Sequence, residues 1–251
     1  MNVRDLIQFK RLVGRIPEEE LVGMLERDIL PHLDEFNATL ANSKIKETIL
    51  CKIFPPEVEE KGIELRDFLG SWGNLSIESI AKICLIIRHF NPRNIMEIGS
   101  FHGVTALQMA INSSFDSTVY TLDLPPGYSG HRMSEIDTYV FTKLYDSSQP
   151  RRYIGSPWEH KIVQLLGDST TFDFSPYYGR MDLVLIDGAH DYETKKSDTE
   201  QAIKMLTPNG IIIWDNYGDI GCPDVTKYLN ELDLPIHHLK NTSLAVYWRQ
   251  G

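Results

Sequence analysis

The sequence is poor in cysteine, contains no long apolar run and carries no excess of basic residues. Its three cysteines, Cys51, Cys84 and Cys222, lack the spacing of a metal site. This usage favours a reducing compartment, and we expect a cytoplasmic protein. No apolar stretch approaches the length of a membrane span, and the first residues, MNVRDLIQFKRLVGR, lack the apolar core of a signal peptide. The sequence therefore predicts no membrane partner.

The net charge of −10 at pH 7 argues against a nucleic-acid partner, because phosphate binding usually requires a basic face. In other respects the composition is typical of a globular protein, with 42% hydrophobic and 24% charged residues. A chain of 251 residues is long enough to bury a large core without disulfides or metal.

Residues 1–74 differ from the rest of the chain. The segments VRDLIQFKRLVG and PEEELVGMLERDILPHL repeat apolar residues at intervals of three and four, which predicts short amphipathic helices. The stretch from 53 to 74 is interrupted by proline and glycine and predicts irregular structure. We expect a helical extension over 1–74 that serves as a lid, as a contact in a homodimer or higher homo-oligomer, or as both.

From residue 75 to 251 helices alternate with strands. Seven strands are predicted, and five of them are apolar segments that alternate with helices: NIMEIG, TVYTLDL, HKIVQLLGD, MDLVLIDG and GIIIWDN. IHHLK and SLAVYW form a closing pair. Apolar strands separated by helices are typical of a parallel sheet covered on both faces. The prediction is a doubly wound, mostly parallel α/β domain, in which ligands bind at the carboxyl ends of the strands.

A glycine-containing turn follows the first of these strands, in MEIGSFHGVTALQMA. Gly99 allows a tight turn and the close approach of a ligand, and Gly103 permits close packing at the start of the next helix. The spacing is not that of the G-x-G-x-x-G dinucleotide motif. Glu97 precedes the first glycine, and an acid there repels phosphate, so a cationic or hydroxylated ligand is expected. The alternative is a strand–helix turn whose glycines serve packing alone.

Two further strands end in acids. Asp123 lies 26 residues after Glu97, at a strand end where a carboxylate can accept hydrogen bonds from a ribose diol. Asp168 and Ser169 end the next strand, where an adenine amino group could be recognised. Each acid alone could be a solvated loop residue, but three at successive strand ends predict a nucleoside site.

The segment from Glu97 to Thr105 resembles the cofactor site of class I S-adenosylmethionine-dependent methyltransferases. Its form, E-x-G-[small]-[aromatic]-x-G-x-[Ser/Thr], is similar to the catechol and caffeoyl-CoA O-methyltransferase branch. The resemblance extends over residues 75–251. It implies that Thr105 and the adjacent helix N-terminus hold the methionine carboxylate, and that Glu97 lies near the ammonium group. The remaining cofactor residues that it implies are Asp123 at the ribose, Asp168 and Ser169 at the adenine, and Gly99, Ser100, Gly103 and Asp187 around the turn.

Asp187 and Asp215 end two strands separated by one helix, so their side chains are expected to converge above the sheet. With the side-chain oxygen of Asn216 they form an all-oxygen set that suits Mg²⁺ or another divalent cation. In catechol-type enzymes the equivalent Asp, Asp and Asn hold a divalent metal, and the resemblance implies the same role here. The alternative is that the two acids only cap helix N-termini.

His190 follows Asp187 by three residues, where catechol-type enzymes carry a lysine base. The D-x-x-H spacing resembles the macrocin-type sugar O-methyltransferases instead. Imidazole, with a pKa near ~6.5, is suited to act as a general base at neutral pH. The alternative is that His190 caps the following helix or bonds Asp191.

The expected function is divalent-metal-assisted O-methylation of a small-molecule hydroxyl. His190 favours a sugar or a glycosylated natural product as the acceptor, and a catechol-like ring is the alternative acceptor. The alternatives are a metal-independent N- or O-methyltransferase and a same-fold, hydroxylase-like relative. The long segment 124–160, with Tyr128, His131, Arg132 and Arg151, is either part of the acceptor pocket or a surface excursion.

Overall fold

The computed structural model of the protein describes residues 33–67, 73–128 and 150–250. The amphipathic helices predicted before residue 33 lie outside the described residues, as do His131 and Arg132 of the long insertion. The predicted lid or oligomer contact of the N-terminal extension therefore stays a prediction. No helix within the described ranges is long and apolar enough to cross a membrane.

The central feature is one eight-stranded sheet with the order β1-β7-β8-β6-β5-β2-β3-β4. Only β8 runs antiparallel to its neighbours, β6 and β7, so the predicted doubly wound, mostly parallel sheet is confirmed. The strands are β1 Lys46–Thr48, β2 Asn94–Ile98, β3 Thr118–Asp123, β4 Ile162–Leu166, β5 Met181–Ile186, β6 Leu206–Trp214, β7 His237–Leu239 and β8 Ala245–Trp248.

The eighth strand comes from a segment that the sequence assigns to the helical extension. The short β1 pairs in parallel with β7, with Lys46 opposite His237, and the Lys240 N–H donates to the Thr48 carbonyl over 2.7 Å. Three residues give too short a pattern to be distinguished from a loop in the sequence. The extension thus contributes directly to the edge of the sheet.

Helices cover both faces of this sheet. Within the described ranges they are α1 Leu33–Ala41, α2 Leu50–Ile53, α3 Ile77–Phe90, α4 Val104–Asn112, α5 Tyr192–Met205 and α6 Pro223–Glu231. The longer ones begin where the sequence supplies a cap: Ser76 accepts from the Ser79 N–H at the start of α3, and Asp191 accepts from the Thr194 N–H at the start of α5.

Successive residues of the central strands enter two separate cores. In β5, Leu183 and Leu185 pack with α3 and α4, whereas Val184 and Ile186 pack with α5 and α6. Both faces are buried, which explains the continuous apolar runs. The chain proceeds from β2 to β3 and β4 on one side and continues with β5 and β6 on the other. The strand order therefore reverses between β2 and β5, where such folds bind ligands.

Candidate functional site

The glycine turn after β2 lies directly against the end of β5. The Gly99 N–H donates to the Leu122 carbonyl over 2.8 Å, and its φ is +101°. A Cβ at this position would lie 2.2 Å from the Asp187 carbonyl oxygen. At Gly103, where φ is +71°, a Cβ would lie 2.7 Å from the ring of Tyr153. Both positions require glycine, because two backbone segments and an aromatic ring approach the turn closely.

Glu97 is fully buried in the middle of the sheet, at the foot of this turn. The Thr121 hydroxyl donates to its Oε2, whereas its Oε1 has no hydrogen-bond partner within the described part of the chain. Burial raises the pKa of Glu97 to about 8; the Asp123 charge also raises it, and the Thr121 hydrogen bond and Arg151 lower it. A buried carboxyl oxygen without a partner is suited to receive an ammonium donor.

Two other residues of the predicted cofactor set lie in or beside the turn. The Ser100 hydroxyl bonds the Thr121 hydroxyl over 2.5 Å and accepts a longer bond from Gln164 at 3.3 Å. Ser100 therefore supports Thr121, the residue that holds Glu97. Thr105 is buried in the first turn of α4.

Asp123 ends β3 as predicted and is engaged in an ion pair. Arg151 donates from Nη2 to Asp123 Oδ2 over 3.0 Å, and the Leu124 N–H donates to Oδ1 over 2.9 Å. Burial raises the pKa of Asp123, and the hydrogen bond and charge of Arg151 oppose the rise. The sequence singles out Arg151 only as part of the insertion. The sequence analysis does not predict its pairing with Asp123, because the positions of the two residues along the chain give no indication that they are in contact.

Both carboxyl oxygens of Asp168 have protein partners. The N–H and hydroxyl of Thr170 donate to Oδ1 over 2.9 and 2.7 Å, and the Tyr128 hydroxyl donates to Oδ2 over 2.9 Å. The carboxylate thus closes the turn after β4 and holds the start of the insertion. Ser169 is half-buried beside it.

The tips of β5 and β6 lie side by side. The Asp187 N–H donates to the Ile98 carbonyl over 2.8 Å, and the Asp215 N–H donates to the Ile186 carbonyl over 3.2 Å. The two carboxyl groups are near enough for the charge of Asp215 to raise the pKa of Asp187. The structure therefore brings these two acids together, beside the glycine turn.

The pKa values of both carboxyl groups are raised above that of an ordinary aspartate. The pKa of Asp187 lies well above its usual range because of burial, then because of the Asp215 charge, and Lys195 opposes the rise. Burial also raises the pKa of Asp215, against a hydrogen bond from the Ser243 hydroxyl to Oδ1 at 2.5 Å. Asp187 is half-buried and Asp215 is buried, and two neighbouring acids of raised pKa favour binding of a proton or a cation.

His190 and Asn216 face each other beside this pair, with His190 Nε2 lying 2.9 Å from Asn216 Oδ1. His190 also opposes the rise in the pKa of Asp215. Asn216 has φ of +66°, a left-handed conformation that asparagine tolerates. Asp191 itself caps α5, so His190 is not needed for that role.

The side-chain oxygens of Asp187, Asp215 and Asn216 are chemically suited to bind a hard divalent cation. No group of three His, Cys, Asp or Glu side chains within residues 33–67, 73–128 and 150–250 is arranged to hold a metal. The predicted set instead takes its third donor from the amide of Asn216. The neighbouring carboxyl groups of Asp187 and Asp215, with their raised pKa values, match such an ion, since carboxylate and amide oxygens are ligands that Mg²⁺ accepts.

Lys195 and Ser243 belong to the site and are missed by the sequence analysis. Lys195 is fully buried in α5, and its Nζ has no hydrogen-bond partner among the residues that the structure describes. A lysine on the same helical face as the buried Thr199 and Ala202 is the signal that could have revealed it. Ser243 precedes β8 in a loop, and no sequence pattern marks it.

Part of the chain matches a known domain family, and its fold is similar to that of solved structures. Residues 96–217 match a family model described as a methyltransferase domain. No curated protein matches the sequence closely enough to count as a relative. Among solved structures, the SAH-bound methyltransferase PaMTH1 of Podospora anserina is similar at 15% identity, with 88% of this chain and 96% of that chain covered and a TM-score of 0.51.

Two further structures are similar. A proposed caffeoyl-CoA O-methyltransferase from Staphylococcus aureus has 15% identity, coverage of 88% of this chain and 100% of that chain, and a TM-score of 0.50. A methyltransferase from Geobacter sulfurreducens has 14% identity, coverage of 71% and 82%, and a TM-score of 0.50. The structural likeness shows a shared fold. The matched model identifies a methyltransferase domain over residues 96–217, which is slightly less than half of the chain.

Proposed function

We propose that the protein transfers the methyl group of S-adenosylmethionine to a hydroxyl of a small molecule, with the assistance of a divalent cation. One observation carries the proposal: the half-buried Asp187 and the buried Asp215 lie beside His190 and Asn216, and Asp187 is in backbone contact with the glycine turn. Groups that can deprotonate an acceptor oxygen are thereby next to the segment suited to a methyl donor.

In this proposal the carboxyl ends of β2, β3 and β4 bind the cofactor. The unpartnered Oε1 of Glu97 accepts from the methionine ammonium group, and Thr105 with the N-terminus of α4 receives the carboxylate. Asp123 binds the ribose diol while Arg151 holds one of its oxygens in place. Asp168 and Ser169 border the adenine. When bound, S-adenosylmethionine supplies a methyl group already activated on a sulfonium.

Asp187, Asp215 and Asn216 would hold the cation. A divalent ion bound there would lower the pKa of an acceptor hydroxyl. His190 has a different task, because it receives the acceptor proton. Its ring is oriented by the contact between Nε2 and Asn216 Oδ1, and orientation of the reacting groups is a large part of what such a site contributes.

The acceptor is proposed to be a hydroxylated molecule such as a sugar or a glycosylated natural product. Oxygen is favoured over nitrogen because DGAH follows β5, whereas methyltransferases that act on amides or bases often carry an N/D-P-P-Y/F sequence there.

One observation favours a second candidate, metal-independent transfer. The buried ammonium of Lys195 already opposes the charge of Asp187, so the chain supplies one internal cation.

Transfer assays on a panel of monosaccharides, glycosylated natural products and catechols test the proposal. We expect activity that is lost in EDTA, restored by Mg²⁺, and lost in Asp215→Asn and His190→Gln. Asp116→Asn is the matched control, since this aspartate is exposed and outside the site. Activity that survives both chelation and Asp215→Asn would select the metal-independent candidate. Failure to bind S-adenosylhomocysteine by calorimetry would reject both.

A further inference from the structure

The segment before the matched domain reaches the loop that carries Asn216. Ser43 lies between α1 and β1 and is buried. Its hydroxyl lies 2.7 Å from the Tyr217 hydroxyl and bonds Asn230 Oδ1 over 2.5 Å. The Tyr217 hydroxyl also lies 3.2 Å from Asn230 Oδ1. One buried polar cluster therefore joins the N-terminal segment, the loop after β6 and helix α6.

Tyr217 links this cluster to the carboxyl pair. It follows Asn216 directly in the chain, and its N–H donates to the Ser243 carbonyl over 2.9 Å. The hydroxyl of the same Ser243 donates to Asp215 Oδ1. Tyr217 is thus held at its backbone by the residue that bonds Asp215 and at its side chain by Ser43.

The anchored loop turns through two left-handed residues. Asn216 and Gly218 have φ of +66° and +76°, a conformation that asparagine and glycine tolerate. Apolar packing adds to the polar cluster, since Ile45 belongs to the same buried core as Tyr217 and Cys222. The N-terminal segment therefore packs on the loop beside the candidate ligands.

We propose that Ser43 is a positioning residue of the active site: through Tyr217 it holds the turn that presents Asp215 and Asn216. The inference rests on the proposed role of these two residues as oxygen ligands of a cation. It gives residues 33–48, which lie outside the matched domain, a part in the acceptor end of the site. A purely structural anchor would instead affect the whole domain equally.

The test compares Ser43→Ala and Tyr217→Phe with the wild-type full-length chain. Thr39→Ala is the matched control, because this hydroxyl lies in the same segment and bonds back to Glu35 of its own helix. Mn²⁺ serves as the probe, and its affinity is measured by electron paramagnetic resonance with S-adenosylhomocysteine present. Calorimetry gives the affinity for S-adenosylhomocysteine itself.

We expect Mn²⁺ binding about fivefold weaker in Ser43→Ala and in Tyr217→Phe, the effect of one lost buried hydrogen bond. Affinity for S-adenosylhomocysteine is expected to stay within about twofold of wild type. Because the two residues act through one contact, the double variant should bind Mn²⁺ no more weakly than about the worse single variant. Thr39→Ala should match wild type.

Two results would overturn the positioning role while leaving the proposed function in place. One is Mn²⁺ affinity in Ser43→Ala and Tyr217→Phe equal to that of Thr39→Ala. The other is an equal loss of Mn²⁺ and S-adenosylhomocysteine affinity, which indicates general destabilisation. A wild-type protein that binds S-adenosylhomocysteine but no Mn²⁺ would instead overturn the proposed cation site, and the positioning role with it.

Discussion

Replacing Glu97 by glutamine is expected to change how the stability of the protein depends on pH. Burial raises the pKa of Glu97 from an ordinary value of 4.5 to about 8. Between these values the folded protein keeps a proton that the unfolded chain releases, so the free energy of unfolding falls as pH rises. Each pH unit in this window costs about 1.4 kcal/mol, and the whole window about 5 kcal/mol. Above about pH 8 the loss is complete.

Glutamine removes this titration and keeps an oxygen for the Thr121 hydroxyl. Its amide N–H groups face the place of the unpartnered Oε1, which adds a cost of about 1–3 kcal/mol that does not vary with pH. Asp187 and Asp215 also titrate, and their contribution largely cancels between the two proteins because the Glu97 charge is only a minor cause of the raised pKa of Asp187. The informative quantity is therefore the stability of the variant minus that of wild type, which should rise with pH.

Urea unfolding of the cofactor-free protein at about pH 5, 6, 7 and 8 measures this difference. Ionic strength is held constant, and Asp116→Asn again serves as the control because it lies at the surface. We expect the difference to increase by several kcal/mol, about 3 or more, from the lowest to the highest pH. A difference that stays constant across the series would refute the argument that Glu97 is protonated because it is buried.

Three further predictions concern neighbouring residues. Gly99→Ala should lower the free energy of unfolding by at least about 2 kcal/mol in urea unfolding, because its Cβ would meet the Asp187 carbonyl; a loss below about 0.5 kcal/mol contradicts this. Lys195→Met removes the positive charge that lowers the pKa of Asp187, so the acidic limb of the pH–kcat/KM profile should move to higher pH; an unmoved limb contradicts it. Arg151→Gln should cost about 1–3 kcal/mol of stability by leaving Asp123 unpaired, and adding Asp123→Asn should recover part of it. Additive losses in that double variant would show that the pair does not interact.

The fold could be predicted because its signals are local and repeated. Strands such as β5 contain a continuous apolar run, here Leu183–Ile186, because both faces are buried, and Ser76 marks the start of α3. The proximity of Asp187 and Asp215 could be predicted because neighbouring parallel strands end at the same edge of a sheet. The positions of Glu97 and Asp123 followed in the same way.

The contacts that complete the site could not be predicted, because they join segments distant in the chain. Arg151 meets Asp123 only through the path of the insertion, and Ser243 meets Asp215 only because β8 returns beside β6. In the local turn after β4, the N–H and hydroxyl of Thr170 donate to the Asp168 carboxylate. Periodicity reports which face of an element is buried and carries no information about such pairings.

The contact between the Gly99 turn and the Asp187 backbone leaves no space for a methyl group between them. In the proposed function these two turns carry the donor end and the acceptor end of the reaction, so a movement of one turn would move the other. Lengthening either turn would displace the other. The distance between the reacting atoms would therefore be determined by the positions of the strands in the sheet. Attempts to redirect this enzyme to new acceptors should leave both turns intact and remodel the chain that surrounds them.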